Sequence, residues 1–241
     1  MTNLKQQLIR HEMYMQRLLS EILDDKYLAV NLYFKGGTCA RMLGFLDRFS
    51  VNLDFDLSPK ADKKRCKKIL LKIFNDLGLE IKDQSSKSLQ FFLKYPAPTK
   101  ERNILKIEIL DKSFKNNDYA PQYIPSIDRT ANCQTIETMF ANKLVALTDR
   151  FKKGQSIAGR DVYDIHYFFT KGFDYKKEII KERTKKNYKE YLQELKDFID
   201  KKITMEILEQ DLSLQSPPQE LKNIKKYIKQ ETINFLDAEI S

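Results

Sequence analysis

Cysteine and histidine are scarce in this chain of 241 residues, with three of the first and two of the second. Cys39, Cys66 and Cys133 form no close pair, which argues against a disulfide framework and against a thiolate zinc site. They read as small, reduced residues. His11 and His166 are far apart in sequence, so a histidine-rich metal site is not expected either, and any metal must be held by oxygens. Long apolar runs are also missing: no stretch approaches the roughly 18 residues of a membrane span. The charged, amphipathic opening over residues 1–23 lacks the continuous apolar segment of a signal peptide. The chain is therefore expected to be soluble and cytoplasmic, with no membrane partner. Acidic residues are in deficit, 34 against 43 Lys and Arg, a net charge of +9. The surplus is conspicuous over Lys60 to Lys72 and again over Lys171 to Lys202. Such an excess suits an anionic partner, RNA or DNA, through phosphate contacts, although lysine-rich helices also serve as plain solvated faces.

What is present is enough for a substantial core: 41% of residues are apolar and 11% aromatic. Leu4, Leu8, Met15, Leu18, Leu19 and Ile22 recur at helical spacing, so the chain is expected to open with an amphipathic helix. Residues 30–34 form a short β-rich run closed by Gly36-Gly37, after which Thr38 is placed to cap a helix reaching Leu43, with Gly44 stopping it. Residues 52–57 alternate, sending Asn52, Asp54 and Asp56 to one face and Leu53, Phe55 and Leu57 to the other. A basic helix over 61–77 and strands over 79–82, 89–95 and 104–110 follow. Residues 118–129, with Pro121 and Pro125 and little periodicity, read as a boundary, and from Thr135 onward only helices are expected. Ser216-Pro217-Pro218 marks a turn between the last two of them. The organisation is thus α+β: an α/β domain over 1–128 that includes the N-terminal helix, then a helical domain over 129–241.

Several of these residues can carry chemistry. A double glycine after a strand lets backbone approach a phosphate, and the amides of the following helix favour an anion, though Gly-Gly also occurs wherever a chain bends sharply. Asp54 and Asp56 project from the same strand face, and Glu108, opposite in phase to Ile107 and Ile109, is the natural third acid. Together they offer hard oxygen ligands suited to magnesium, or else simply line a half-solvated sheet. Lys143 falls inside the apolar stripe of the helix that begins at Thr135. It either snorkels or reaches a carboxylate or a triphosphate, and Arg150 lies on nearly the same side. Asp161 opens the next helix, as a favourable charge in a first turn or as a base or orienting acid. His166 reads as structural.

Taken together, Lys35-Gly36-Gly37-Thr38 with Arg41, Arg48-Phe49-Ser50 leading into Leu53-Asp54-Phe55-Asp56, Lys106-Ile107-Glu108-Ile109, Lys143 with Arg150, and Arg160-Asp161-Val162-Tyr163-Asp164 resemble the AbiEii family. These are abortive-infection nucleotidyltransferase toxins of the polymerase-beta-like superfamily. The resemblance covers roughly residues 27–169. It implies a polymerase-beta-like domain with a mixed sheet flanked by helices, followed by a helical domain contributing Lys143 and Asp161. It implies nucleotide binding by Gly36, Gly37, Thr38, Arg41, Arg48, Ser50 and Lys143, metal binding at positions 52, 54, 56 and 108, and catalytic roles for Asp54, Lys143 and Asp161. The implied activity is transfer of a nucleotide from a nucleoside triphosphate, with Mg2+, to an RNA such as tRNA, by a phage-defence toxin that has a cognate antitoxin. One position departs from the pattern. Where the family usually has Ser-x-Asp-Leu-Asp, this chain has Asn52 at the first aspartate, a neutral carbonyl in place of a charged ligand.

Overall fold

The computed structural model describes residues 3–111, 114–212 and 218–241. The chain divides into two compact units. The second consists of Phe45–Phe49, Phe114–Asp118 and Thr135–Ser241, and the first of the remainder. The helical part therefore begins at Thr135, six residues beyond the expected boundary at 128/129, because Arg129–Gln134 is a strand of the sheet.

In the first unit, helix α1 (Asn3–Asp24) buries Met15, Leu18, Leu19 and Ile22 of the stripe its sequence announces, while Leu4, near its start, is exposed. Helix α2 (Lys26–Asn31) is capped by Asp25, whose carboxylate accepts from the Tyr27 and Leu28 amides. Strand β1 (Leu32–Lys35) leads into the short helix α3 (Gly36–Met42). The other elements are β2 (Asn52–Leu57), α4 (Lys63–Asp76), β3 (Glu80–Gln84), β4 (Leu89–Lys94), β5 (Ile104–Leu110), β6 (Tyr119–Ile124) and β7 (Arg129–Gln134). The seven strands form one mixed sheet in the order β3-β4-β5-β2-β1-β7-β6, parallel only at β1/β7 and β2/β5.

One face of this sheet is the core. Leu53 and Phe55 of β2, Leu105, Ile107 and Ile109 of β5, and Leu89, Phe91 and Leu93 of β4 are all at most 2% exposed. Helix α4 covers part of that face through Cys66, Leu70 and Phe74, with the Phe74 and Phe91 rings 5.2 Å apart. All three cysteines are free and buried.

The expected loop at 118–129 is a hairpin instead. β6 is the last strand of the sheet, with one buried residue of six, so it carries no apolar alternation, and an edge strand tolerates Pro121, which cannot donate to a ladder. Its turn places Asp128 at φ 51, in the left-handed region.

The second unit contains α5 (Ile136–Gly154), α6 (Gly159–Thr170), α7 (Lys177–Thr184), α8 (Tyr188–Lys202), α9 (Met205–Leu212) and α10 (Pro218–Ile240). Thr135 caps α5, its hydroxyl accepting from the Thr138 amide. α6 starts hard against α9: a Cβ on Gly159 would stand 2.8 Å from the Ile207 carbonyl oxygen. The expected turn at Ser216-Pro217 lies outside the described residues, and α10 opens at Pro218. Among the described residues no helix is long and apolar enough to cross a membrane.

Candidate active site

The first unit gathers its candidate residues around β2. In register, Asp54 lies between Lys35 of β1 and Glu108 of β5. Because side chains alternate along a strand, Asn52, Asp54 and Asp56 share the face opposite the core. Gly36 opens α3 at φ 78, and a Cβ there would lie 3.0 Å from Asp54 Oδ2. Glycine at 36 thus does two things, accepting a left-handed backbone and leaving room beside the Asp54 carboxylate.

The acids on this face are not equivalent. Asp56 is 1% exposed. Its Oδ1 accepts from Lys35 Nζ at 2.6 Å, and its Oδ2 accepts from the Tyr119 hydroxyl at 2.8 Å and from Gln134 Nε2 at 2.9 Å. Both of its oxygens are occupied in tying β1, β6 and β7 to β2. Glu108 accepts from Gln90 Nε2 on Oε1 at 2.7 Å and pairs through Oε2 with Lys106 Nζ at 2.9 Å, so its oxygens are engaged too, but its side chain is 27% exposed. Asp54 remains partly exposed. Among the described residues, no three His, Cys, Asp or Glu side chains converge as a ready-made metal cage. Magnesium does not require one: it is characteristically held by one or two carboxylates together with substrate phosphates and water. The oxygens of Asp54, with Glu108 and the Asn52 amide alongside, fit that mode in kind.

Thr38 is fully buried and does not cap α3, whose N-cap is Lys35 without a side-chain bond. Its hydroxyl donates to the Asn52 carbonyl at 2.5 Å and lies 2.9 Å from Ser50 Oγ. A hydroxyl has one proton to give, so Ser50 is the donor in that second contact. Thr38 and Ser50 together pin the start of β2. His11 does the same one residue earlier, its Nε2 donating to the Val51 carbonyl at 2.8 Å while Nδ1 lies 2.8 Å from the Tyr95 hydroxyl. Burial is the main cause that holds the His11 pKa down at about 4, so the ring is neutral. Arg41 is ion-paired with Glu12.

The second unit holds a buried ionic cluster. Arg48 grips Asp164 with two parallel bonds, Nε to Oδ1 at 2.5 Å and Nη2 to Oδ2 at 2.6 Å, and its Nη1 donates to the Phe49 carbonyl at 3.0 Å. Lys143 Nζ stands 2.9 Å from Asp161 Oδ1 and 2.9 Å from Asp164 Oδ2, and Arg150 Nε is 3.0 Å from Asp161 Oδ2. Asp161 and Asp164 are three apart on α6, and Lys143 and Arg150 seven apart on α5, so each pair lies on one helix face. Arg48 and both aspartates are at most 3% exposed and Lys143 is 16% exposed. Burial alone would lower the Lys143 pKa, but the two carboxylates outweigh it and hold it above its usual value. Burial likewise opposes ionisation of Asp161, yet Lys143 and Arg150 prevail and bring its pKa to about 2.

The structure therefore puts Gly36, Gly37, Thr38, Ser50, Asn52, Asp54, Asp56 and Glu108 in one unit, and Arg48, Lys143 and Asp161 in the other. The sequence reasoning gave no role to Asp164, named only as the end of the Arg160–Asp164 motif, or to His11, considered only as a metal ligand. Their signals were there: Asp164 repeats Asp161 at a helical interval, and His11 sits inside the apolar stripe of α1, where a polar group needs partners. His166, expected to be structural, pairs with Glu231 at 2.6 Å.

No curated protein matches the chain. Among solved structures it is similar to JHP933 from Helicobacter pylori, with a TM-score of 0.59, 20% identity, and coverage of 97% of this chain and 92% of that one. It is also similar to MenT4, a nucleotidyltransferase toxin from Mycobacterium tuberculosis, with a TM-score of 0.56, 16% identity, and coverage of 98% and 86%. At such identities these likenesses establish the fold. Residues 17–235 match the model of the nucleotidyl transferase AbiEii toxin family of type IV toxin–antitoxin systems, and with that match over nine-tenths of its length the chain belongs to the AbiEii family and is a nucleotidyltransferase.

Proposed function

We propose that the protein is a magnesium-dependent, phage-defence toxin that acts in the cytoplasm, countered by a cognate antitoxin, and transfers a nucleotide from a nucleoside triphosphate to an RNA acceptor of the tRNA class. The observation that carries the site assignment is the partly exposed Asp54, with Gly36 leaving space at the edge of its carboxylate and Glu108 beside it in register. Asp54 is the principal metal ligand in this reading, with Asn52 and Glu108 as neighbouring oxygens and Gly36-Gly37 as the backbone that meets the phosphates. Bound magnesium would supply charge neutralisation on the triphosphate and favour in-line geometry.

The attacking RNA hydroxyl forms a new bond to the α-phosphorus, the bond to the β-phosphate oxygen breaks, pyrophosphate leaves with the electron pair, and the hydroxyl proton is lost to solvent. Lys143 is the cation that answers phosphate charge, and Asp161 orients it. Asp161 does not serve as the base in this scheme, because a carboxylate with a pKa of about 2 holds a proton too weakly. Arg48 and Asp56 are assigned to holding their surroundings, since the contacts described above occupy them.

A second reading follows from Asn52, whose neutral amide weakens any metal site: the chain binds nucleotide or RNA without turnover. One experiment separates the two. The protein, its Asp54→Ala variant and its Asn52→Asp variant are incubated with magnesium, total tRNA and each α-labelled triphosphate. Label on RNA that drops more than about a hundredfold in Asp54→Ala supports the enzyme. Label that appears only with Asn52→Asp supports the second reading, and silence from every variant overturns the RNA acceptor.

A further inference from the structure

We propose that the exposed face of α4 is the surface on which the first unit docks the phosphate backbone of a folded RNA. This rests on the RNA acceptor proposed above and adds where the body of that RNA lies.

Residues 60–72 contain seven Lys or Arg and a single acid, Asp62. That acid is the N-cap of α4, its Oδ1 accepting from the Lys64 and Arg65 amides, so it is turned to the backbone rather than to the lysines. Lys64, Lys68 and Lys72 are exposed and fall four apart, in one row about 12 Å long. None of the three has a carboxylate partner among the described residues. Arg65 joins the row at its N-terminal end, its guanidinium 4.0 Å over the Tyr27 ring, while the Tyr27 hydroxyl accepts from the Asp62 amide at 2.7 Å. Stacking holds the guanidinium plane and leaves its N–H edge for an oxyanion.

The other lysine-rich stretch differs. Over residues 171–202 eleven basic residues are interspersed with seven acids. Lys176, Arg183, Lys186 and Lys196 are paired with Asp118, Asp149, Glu194 and Asp237. Charge that is already paired gains little from a phosphate, whereas an uncompensated row releases counterions when one binds.

The apolar residues of α4 face inward, so the outer face offers nothing for insertion into lipid. Phe74 packs on Phe91, which pairs in register with Ile107, so α4 lies across the core face of the sheet and Asp54 and Glu108 project from the opposite one. The row therefore grips the body of a folded RNA, by shape and phosphate, while the reacting end lies elsewhere.

The test is anisotropy of a labelled, full-length tRNA transcript with the intact protein, without triphosphate, over a range of KCl. The variants are the triple Lys64→Gln, Lys68→Gln, Lys72→Gln and, as a control of equal charge, the triple Lys181→Gln, Lys185→Gln, Lys201→Gln, each checked for native circular dichroism. Loss of three phosphate contacts should reduce the slope of log K against log salt by about 2 and weaken low-salt binding at least about tenfold, with the control unchanged. An unchanged slope in the α4 triple overturns the proposal, as does an equal loss in both triples. So does α4-dependent binding to phosphatidylglycerol vesicles with none to tRNA. Because the assay involves no transfer, an inactive enzyme that still shows the α4-dependent slope refutes the enzymatic reading and leaves this one standing. Where transfer is measurable, the triple should raise KM for tRNA and leave kcat unchanged.

Discussion

The buried cluster of the second unit and the start of β2 in the first immobilise their polar residues in opposite ways. In the second, charge is buried with its counter-charge: Arg48 and Lys143 face Asp164 and Asp161 at 2.5–2.9 Å. In the first, the start of the strand that carries Asp54 is held by neutral donors, with His11 on the Val51 carbonyl and Thr38 on the Asn52 carbonyl. A buried ion pair fixes geometry but cancels the charges that form it, and removing one partner strands the other in a medium that cannot solvate it. A neutral hydrogen bond to a carbonyl fixes the backbone and brings no counter-charge of its own. The cluster of the second unit thus holds its geometry through paired charge, whereas the start of β2 is held by neutral bonds to backbone.

The largest effect should come from breaking the ionic cluster. Asp164→Ala leaves Arg48, 3% exposed, without its bidentate partner, and should cost about 3–5 kcal/mol, a fall in Tm on the order of 10 °C in a chain of this size. Combining it with Arg48→Met should recover much of the loss, since no isolated charge then remains. If thermal denaturation shows the single variant within about 1 kcal/mol of the parent, the cluster is hydrated and the contrast between the units fails.

How much of this arrangement the sequence revealed depends on the source of the signal. β2 was plain because its two faces differ in kind, Leu53 and Phe55 against Asp54 and Asp56, and α5 because its apolar stripe is continuous. β6 was hidden because an exposed edge strand has no alternation to display. The candidate residues were picked out by type, spacing and resemblance, but their partners were not. Nothing local told that Arg48 would meet Asp164, 116 positions away, or that Asp56 would meet Tyr119 and Gln134. Thr38 was misjudged as a cap for the same reason, since its acceptor is the carbonyl of a strand 14 residues on. Local chemistry specifies elements, whereas the pairing of buried polar groups is decided by topology.

A smaller effect tests the neutral side of the comparison. The folded pKa of His11, about 4, lies below its ordinary value of 6.5, so the folded protein binds fewer protons than the unfolded chain between these values. The stability associated with the neutral ring is complete above pH 6.5 and is lost as pH falls toward 4, by about 3 kcal/mol in all. His11→Gln keeps a donor for Val51 and does not titrate, so its urea midpoint should vary less across that window. The Asp161 contribution, with its pKa at about 2, is lost only below pH 4 and does not interfere. A parent whose midpoint is flat from pH 6.5 to 4 would mean that His11 is solvated and does not hold β2.

The smallest change in stability should carry the sharpest information about Asp54. Gly36 and Gly44 have nearly the same backbone, φ 78 and 79, so alanine at either should cost about 1–2 kcal/mol in strain. Their surroundings differ. A Cβ at 44 meets nothing within 4 Å, whereas one at 36 comes within 3.0 Å of Asp54 Oδ2. The carboxylate can move aside by a few tenths of an ångström, so the two variants should melt alike while only Gly36→Ala disturbs the position of Asp54. Transfer activity, measured well below either Tm, should therefore fall in Gly36→Ala and persist in Gly44→Ala. Equal activities would show that the edge of Asp54 can be displaced without consequence, and the assignment of that carboxylate to the metal would have to be abandoned. A parallel loss in both would trace the effect to backbone strain. Because the pair shares its backbone strain, the comparison removes that cause and leaves what stands at Gly36, the edge of Asp54 and the backbone proposed to meet the phosphates, whereas deletion of Asp54 removes charge, ligand and packing together.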